Sequence, residues 1–211
     1  MHLENDKISS IMKKAFFILL AAIIVFTGCT KTEDETVPES VRASIRGNYY
    51  GNSGVSYVKT GIADTLYTYS KALVTNDKIQ IEGVAVSAVV DSIFGRGTAA
   101  AQGILQKPVQ ISYKLYNAKA ANDEYFPMTY KASSISMNVN KNGQTHTIGI
   151  DFYPSNGTTG FFWYYPNKNR LDMTLVSSKI SMDGKEVTHL ASKPDTTMKV
   201  EFRFPLSLQK R

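Results

Sequence analysis

The sequence predicts a mainly β protein, with one antiparallel domain over residues 42–211 and a single short helix near residues 84–95. Three observations predict it. Apolar residues recur at every second position through most of the domain, the period of a half-buried strand. Asn-Gly and Asp-Gly pairs interrupt those runs and supply the positive φ that tight hairpins demand. One segment alone has the three-and-four spacing of an apolar stripe on a helix.

Taken in order, Gly47 to Val58 and Asp64 to Thr75 are rich in Tyr and Thr and predict a first hairpin, since such side chains suit a pleated surface. Val86, Val89, Val90, Ile93 and Phe94 then fall on one helical face. Gly95-Arg96-Gly97 should end that helix, and Thr98 is expected to cap a short further turn through Gln102. Lys107-Pro108 returns the chain to strand. There Val109, Ile111, Tyr113 and Leu115 alternate with Gln110, Ser112, Lys114 and Tyr116. The same alternation places Ile135, Met137 and Val139 on one face, and likewise Ile148, Ile150 and Phe152. Leu171, Met173 and Leu175 form another set, and Met198, Val200, Phe202 and Phe204 a last one. Asn142-Gly143, Asn156-Gly157, Asp183-Gly184 and Asn167-Lys168-Asn169 mark the reversals. About ten short strands with one helix fit a barrel-like (lipocalin-like) sheet or a two-sheet sandwich, and short hairpin connections favour the barrel.

Ahead of the domain, Met12 to Cys29 reads as a lipoprotein signal. Lys13 and Lys14 give it a positive start, Ala15 to Phe26 is an unbroken apolar run of 12 residues, and Thr27-Gly28 puts small side chains before the only cysteine. A bilayer-spanning helix needs roughly 20 apolar residues, so this run is too short for a retained anchor. Residues 1–28 are expected to be a signal peptide, with Met12 itself a plausible start. The Cys29 thiol would take a diacylglyceryl group and become the first residue of the mature chain. Several acyl chains, at about 0.8 kcal/mol per buried CH₂, would hold the protein on a membrane. With Cys29 committed to lipid, the domain has no thiol for a disulfide. Residues 29–41 are expected to be the lipidated cysteine and a flexible tether. Thr30 to Val41 is polar, contains Pro38 and lacks apolar periodicity, and about a dozen such residues reach about 20 Å. The Glu33-Asp34-Glu35 cluster resembles the acidic export signal of surface-exposed lipoproteins in Bacteroidetes. The expected address is the bacterial outer membrane, lipid-anchored, on the periplasmic face or the cell surface.

Residues 1–41 hold 4 of the 24 Lys and Arg but 6 of the 18 Asp and Glu, so residues 42–211 carry a formal +8. Such a field raises the local concentration of anionic polysaccharide or headgroups, although the basic residues are scattered. No nucleic-acid recognition motif accompanies them.

The lipobox and acidic tether accompany the opening Arg46-Gly47-Asn48-Tyr49-Tyr50-Gly51, the segment Ala63-Asp64-Thr65-Leu66, and the turn Thr75-Asn76-Asp77 before Ile79-Gln80-Ile81. Together they resemble a family of roughly 200-residue Bacteroidetes lipoproteins, uncharacterised and without assigned function. The resemblance implies an envelope address and a β-rich fold. It brings no catalytic residues.

Within the domain the sharpest chemical feature is Phe161-Phe162-Trp163-Tyr164-Tyr165. In a strand, Phe161, Trp163 and Tyr165 share one face while Phe162 and Tyr164 share the other. Exposed rings offer a flat apolar platform for sugar rings or acyl chains, with phenol hydroxyls for hydrogen bonds. All five residues are candidates for a ligand surface, and Tyr49, Tyr50, Tyr57, Tyr67 and Tyr69 could extend it. His146 and His189 lie in no metal-ligand spacing, so neither a metal nor another cofactor is expected. Asp64, Asp151 and Asp172 are carboxylates without a pairing motif, and neither a nucleophile elbow nor a phosphate loop is present. The expected function is a non-catalytic, membrane-anchored binding module for a glycan or amphiphile, held on the aromatic face or in a barrel mouth. The alternatives are an interaction subunit docking to an envelope protein and, third, a carboxylate-dependent hydrolase.

Overall fold

A computed structural model describes residues 37–57, 66–116, 125–154, 161–187, 189–190, 193–197 and 199–209. The signal segment, Cys29, the tether up to Thr36, Asp64 and the Asn156-Gly157 turn lie outside the described residues. The compact unit runs from Val37 to Arg211. Val37 is buried, and helix α1 (Glu39–Ser44) starts inside the segment read as tether. A helix of 6 residues is too short to show apolar periodicity, which is why its sequence reads as linker. Among the described residues no helix is long and apolar enough to cross a membrane.

The strands are β1 (Gly47–Tyr57), β2 (Leu66–Val74) and β3 (Lys78–Ala85), followed by helices α2 (Ser87–Phe94) and α3 (Thr98–Ala101). Then come β4 (Gln106–Leu115), β5 (Phe126–Ala132), β6 (Ile135–Lys141), β7 (Gln144–Phe152) and β8 (Phe162–Tyr165). A 3-10 turn at Pro166–Lys168 leads into β9 (Arg170–Met182), after which come β10 (Lys185–Glu186), β11 (His189–Leu190), β12 (Lys193–Thr197) and β13 (Val200–Leu208). Antiparallel pairing runs β1-β2-β3-β4-β5-β8-β9-β13 and returns from β13 to β1, a closed barrel of 8 strands. Of the two architectures the sequence allows, the fold is therefore the barrel. Closure leaves these strands no free edge.

One connection departs from simple up-and-down order: β5 pairs with β8, because the β6–β7 hairpin is inserted between them. Strand β9 accommodates both. Its first half, from Arg170, pairs with β8 and β13, and its second half, Ser177 to Met182, pairs with β7. The expected hairpin turns form, with Asn142 at φ 52°, Asp183 at 51° and Asn169 at 47°, each followed by Gly or ending a turn. The alternation predicted for β4, β6, β9 and β13 points Ile111, Val139, Leu171 and Phe204 into the core.

Helix α2 forms where the valine stripe predicts it, and Val89 and Val90 are fully buried. Its capping differs from the sequence expectation. Asp91, not Thr98, satisfies the start of α3: its carboxylate accepts from the Gly97 amide at 3.1 Å and the Ala99 amide at 2.8 Å. The left-handed Gly97 turns those amides back toward Asp91. Beyond α3, the Gln102 side chain exchanges two 2.7 Å hydrogen bonds with the Asn140 backbone, standing in for a neighbouring strand at that edge of β6. Large side chains fill the barrel interior, with Tyr49, Phe162, Tyr164, Phe202 and Phe204 essentially inaccessible. At one end α1 is tied on by Tyr49, whose hydroxyl donates to the Ile45 carbonyl at 2.9 Å, and by Tyr164, whose hydroxyl meets Ser44 Oγ at 3.0 Å.

Candidate functional site

Strand β8 sorts its aromatic run as a period of two requires. Phe162 and Tyr164 point inward, 1 % and 0 % exposed. Phe162 stacks on Tyr130 at 3.8 Å between centroids, with the planes 12° apart. These two residues are core and leave the candidate ligand surface, because the barrel interior takes one whole face of the strand. Phe161, Trp163 and Tyr165 point outward, and Phe161 is 49 % exposed.

The neighbouring strands add residues that the run alone does not reveal. Tyr125 packs edge-on against Trp163, with centroids 4.9 Å apart and planes at 89°, and lies 6.0 Å from Tyr165. Pro127 faces Trp163 in register, and the Pro127 carbonyl accepts from the Tyr116 amide at 2.9 Å. Tyr116, 42 % exposed, therefore continues the same outer row onto the end of β4. Two strand spacings, about 10 Å, separate Tyr116 from Trp163. The result is an outward aromatic band of Tyr116, Tyr125, Phe161, Trp163 and Tyr165 around Pro127.

Charge rims the band. The Lys168 ammonium lies 5.4 Å from the Tyr165 ring centroid and the Lys114 ammonium 5.6 Å from that of Tyr116. Opposite Trp163 and Tyr165 on β9 stand Asp172 and Arg170, joined by an Arg170 Nε to Asp172 Oδ1 hydrogen bond of 2.6 Å. Partial burial and the Asp172 carboxylate hold the Tyr165 phenol above its ordinary pKa, so it stays a neutral donor. Rings flanked by a carboxylate, a guanidinium and phenols can stack on a sugar face and bond its hydroxyls, or lie along an acyl chain.

Of the tyrosines proposed to extend the surface, Tyr49, Tyr50 and Tyr69 do not join it. Tyr49 is core, and Tyr50 and Tyr69 stack on each other at 6.2 Å on β1 and β2, three and four strands around the barrel from β8. The side chains of Tyr57 and Tyr67 lie outside the described residues.

A second concavity opens beside α1. It holds about 340 Å³ and is lined by Glu39, Arg42 and Arg46 of the α1 segment, Asn76 of the β2–β3 turn, and Tyr113, Lys114 and Leu115 of β4. Sequence reading gives no hint of it, since its cations are 68 positions apart or more once Lys114 joins the α1 arginines.

His146 meets Asp183 through Nδ1 at 2.7 Å and packs 5.5 Å from the Phe94 ring. Asp183 also accepts the Thr147 amide at 2.8 Å, and these two hydrogen bonds hold its carboxyl below the usual range. The His189 side chain lies outside the described residues, among which no three His, Cys, Asp or Glu converge as metal ligands. Asp151 accepts from Ser134 and stands opposite Lys179 on β9, seven positions from Asp172. At about 3.3 Å per residue that separation is about 23 Å, too far for two carboxylates to share one glycosidic bond.

Residues 44–182 match the model of a protein family described as a domain of unknown function, DUF4840. No curated protein and no solved structure matches the chain. The matched span ends before β13, the strand that closes the barrel.

Proposed function

We propose, for a chain that belongs to the DUF4840 family of domains of unknown function, that it is a non-catalytic binding module for a glycan or amphiphile, lipid-anchored through Cys29 at the bacterial outer membrane. The observation that carries the binding role is the aromatic band. A β8 strand of 4 residues spends one face on the core and turns Trp163 and Tyr165 outward, beside Phe161 and Tyr125. Exposed apolar clusters of this kind, rimmed by polar groups, mark interaction surfaces on soluble domains. The anchor rests on the lipobox ending at Cys29 and on the acidic segment after it.

A thermal-shift screen against oligosaccharides, fatty acids and lipopolysaccharide fragments tests the reading. A ligand at 100 times its Kd stabilises by about 2.7 kcal/mol, a rise of about 5–10 °C for a domain of this size. The shift is expected for one chemical class and lost in Trp163→Ala. No shift across the panel would favour the same band as a docking face for an envelope protein. Metabolic labelling with a palmitate analogue, in wild type and Cys29→Ser, tests the anchor.

A further inference from the structure

We propose that the ligand of the aromatic band carries a phosphate-type anionic group, and that this group seats in the basic cleft beside α1. The inference rests on the binding reading above and specifies its ligand class.

The cleft brings together Arg42, Arg46 and Lys114 against one carboxylate, Glu39. Two arginines and a lysine around a concavity of about 340 Å³ are the donor set that phosphate oxygens take: guanidinium forks bind two oxygens at once, and an ammonium adds a point charge. Glu39 does not neutralise the site. It holds Arg46 alone, at 3.2 Å, with its side chain 76 % exposed, and an exposed pair of that kind is weak enough for a multivalent anion to displace. Arg42 donates Nε to the Val37 carbonyl at 3.2 Å, which fixes the root of its side chain, and among the described residues its terminal nitrogens make no hydrogen bond.

Lys114 joins the cleft to the band. It lines the cleft while its ammonium lies 5.6 Å from the ring centroid of Tyr116, the first ring of the band. An amphiphile or glycan lying along Tyr116, Pro127 and Trp163 would therefore have its charged end beside Lys114, at the edge of the cleft that Arg42 and Arg46 also line.

The test is calorimetric titration of the full chain carrying Cys29→Ser with three probes below their micelle-forming concentrations: dodecyl phosphate, dodecyl maltoside and inorganic phosphate. Dodecyl phosphate is expected to bind at least 10-fold tighter than dodecyl maltoside. That advantage should fall away in Arg46→Gln/Lys114→Gln and in high salt, and persist in the surface control Lys179→Gln. Trp163→Ala should weaken both amphiphiles. Equal affinity for the two amphiphiles would overturn the anionic seat while leaving the binding reading intact. Inorganic phosphate binding as tightly as dodecyl phosphate would also overturn it, by making the cleft a free-phosphate site independent of the band. Binding of none of the three would overturn both.

Discussion

Adjacent residues of β8 should respond in opposite ways to truncation. Phe162 is 1 % exposed and stacked on Tyr130. A buried aromatic side chain withdraws about 150–250 Å² from water, and at about 25 cal/mol per Å² its loss costs about 4–6 kcal/mol, overlapping the roughly 3–5 kcal/mol typical of Phe→Ala. For a domain of this size that lowers Tm by about 10 °C or more. Trp163, one position on, is only half-buried and loses chiefly its edge-on contact with Tyr125 and part of its packing on Pro127. Such an aromatic pair is worth about 0.5–1.5 kcal/mol, so Trp163→Ala should cost about 1–2 kcal/mol. Urea unfolding followed by far-ultraviolet circular dichroism measures both variants without relying on the deleted tryptophan. If Trp163→Ala costs as much as Phe162→Ala, the outer face is core and the assignment of the band as a ligand surface fails.

Burial raises the phenol pKa of Tyr113 and Tyr130 to about 12 and pushes Tyr49 up further. Because the folded values lie above the unfolded value of about 10, this contribution is complete below pH 10 and declines as pH rises towards 12, by up to about 1.4 kcal/mol per pH unit for each tyrosine; the urea midpoint should fall steeply between pH 10 and 11, and a flat midpoint would contradict the burial. Asp183 is depressed by its bonds to His146 and the Thr147 amide, so it stabilises the fold above its unfolded value of about 4 and ceases to as pH falls through its folded value. Asp183→Asn should therefore be less stable than wild type at pH 6 and indistinguishable at pH 2, whereas a difference that persists at pH 2 would assign the effect to the turn backbone. Gly51→Ala would drive a Cβ into the Pro205 carbonyl oxygen at the β1–β13 seam, and a loss of about 1–3 kcal/mol is expected; an unchanged Tm would mean the seam yields freely.

Much of the barrel is legible because a closed antiparallel sheet writes itself as period-two alternation, and Val109 to Leu115, Ile135 to Val139 and Val200 to Phe204 obey it. The turns are legible for a stricter reason: Asn142, Asn169 and Asp183 have positive φ, which few residues tolerate. The β5–β8 pairing is not legible, since the inserted β6–β7 hairpin hides which strands become neighbours. For that reason the sequence identifies Phe161, Trp163 and Tyr165 and misses Tyr125 and Pro127, which reach them only across β5. The same holds for the basic cleft, whose arginines lie on and just after a helix too short to show a pattern and whose lysine comes from a strand far along the chain. Asp91 as the cap of α3 was hidden because it sits six residues before Gly97, beyond the reach of local capping patterns.

Trp163 is the only tryptophan in the chain and stands in the middle of the band, so its fluorescence reports on the proposed surface and on nothing else. Titration of the Cys29→Ser chain with dodecyl maltoside and dodecyl phosphate should give a saturable blue shift, with reduced quenching by acrylamide as ligand covers the indole. Emission and quenching that stay unchanged while calorimetry records binding would put the ligand elsewhere and contradict the account.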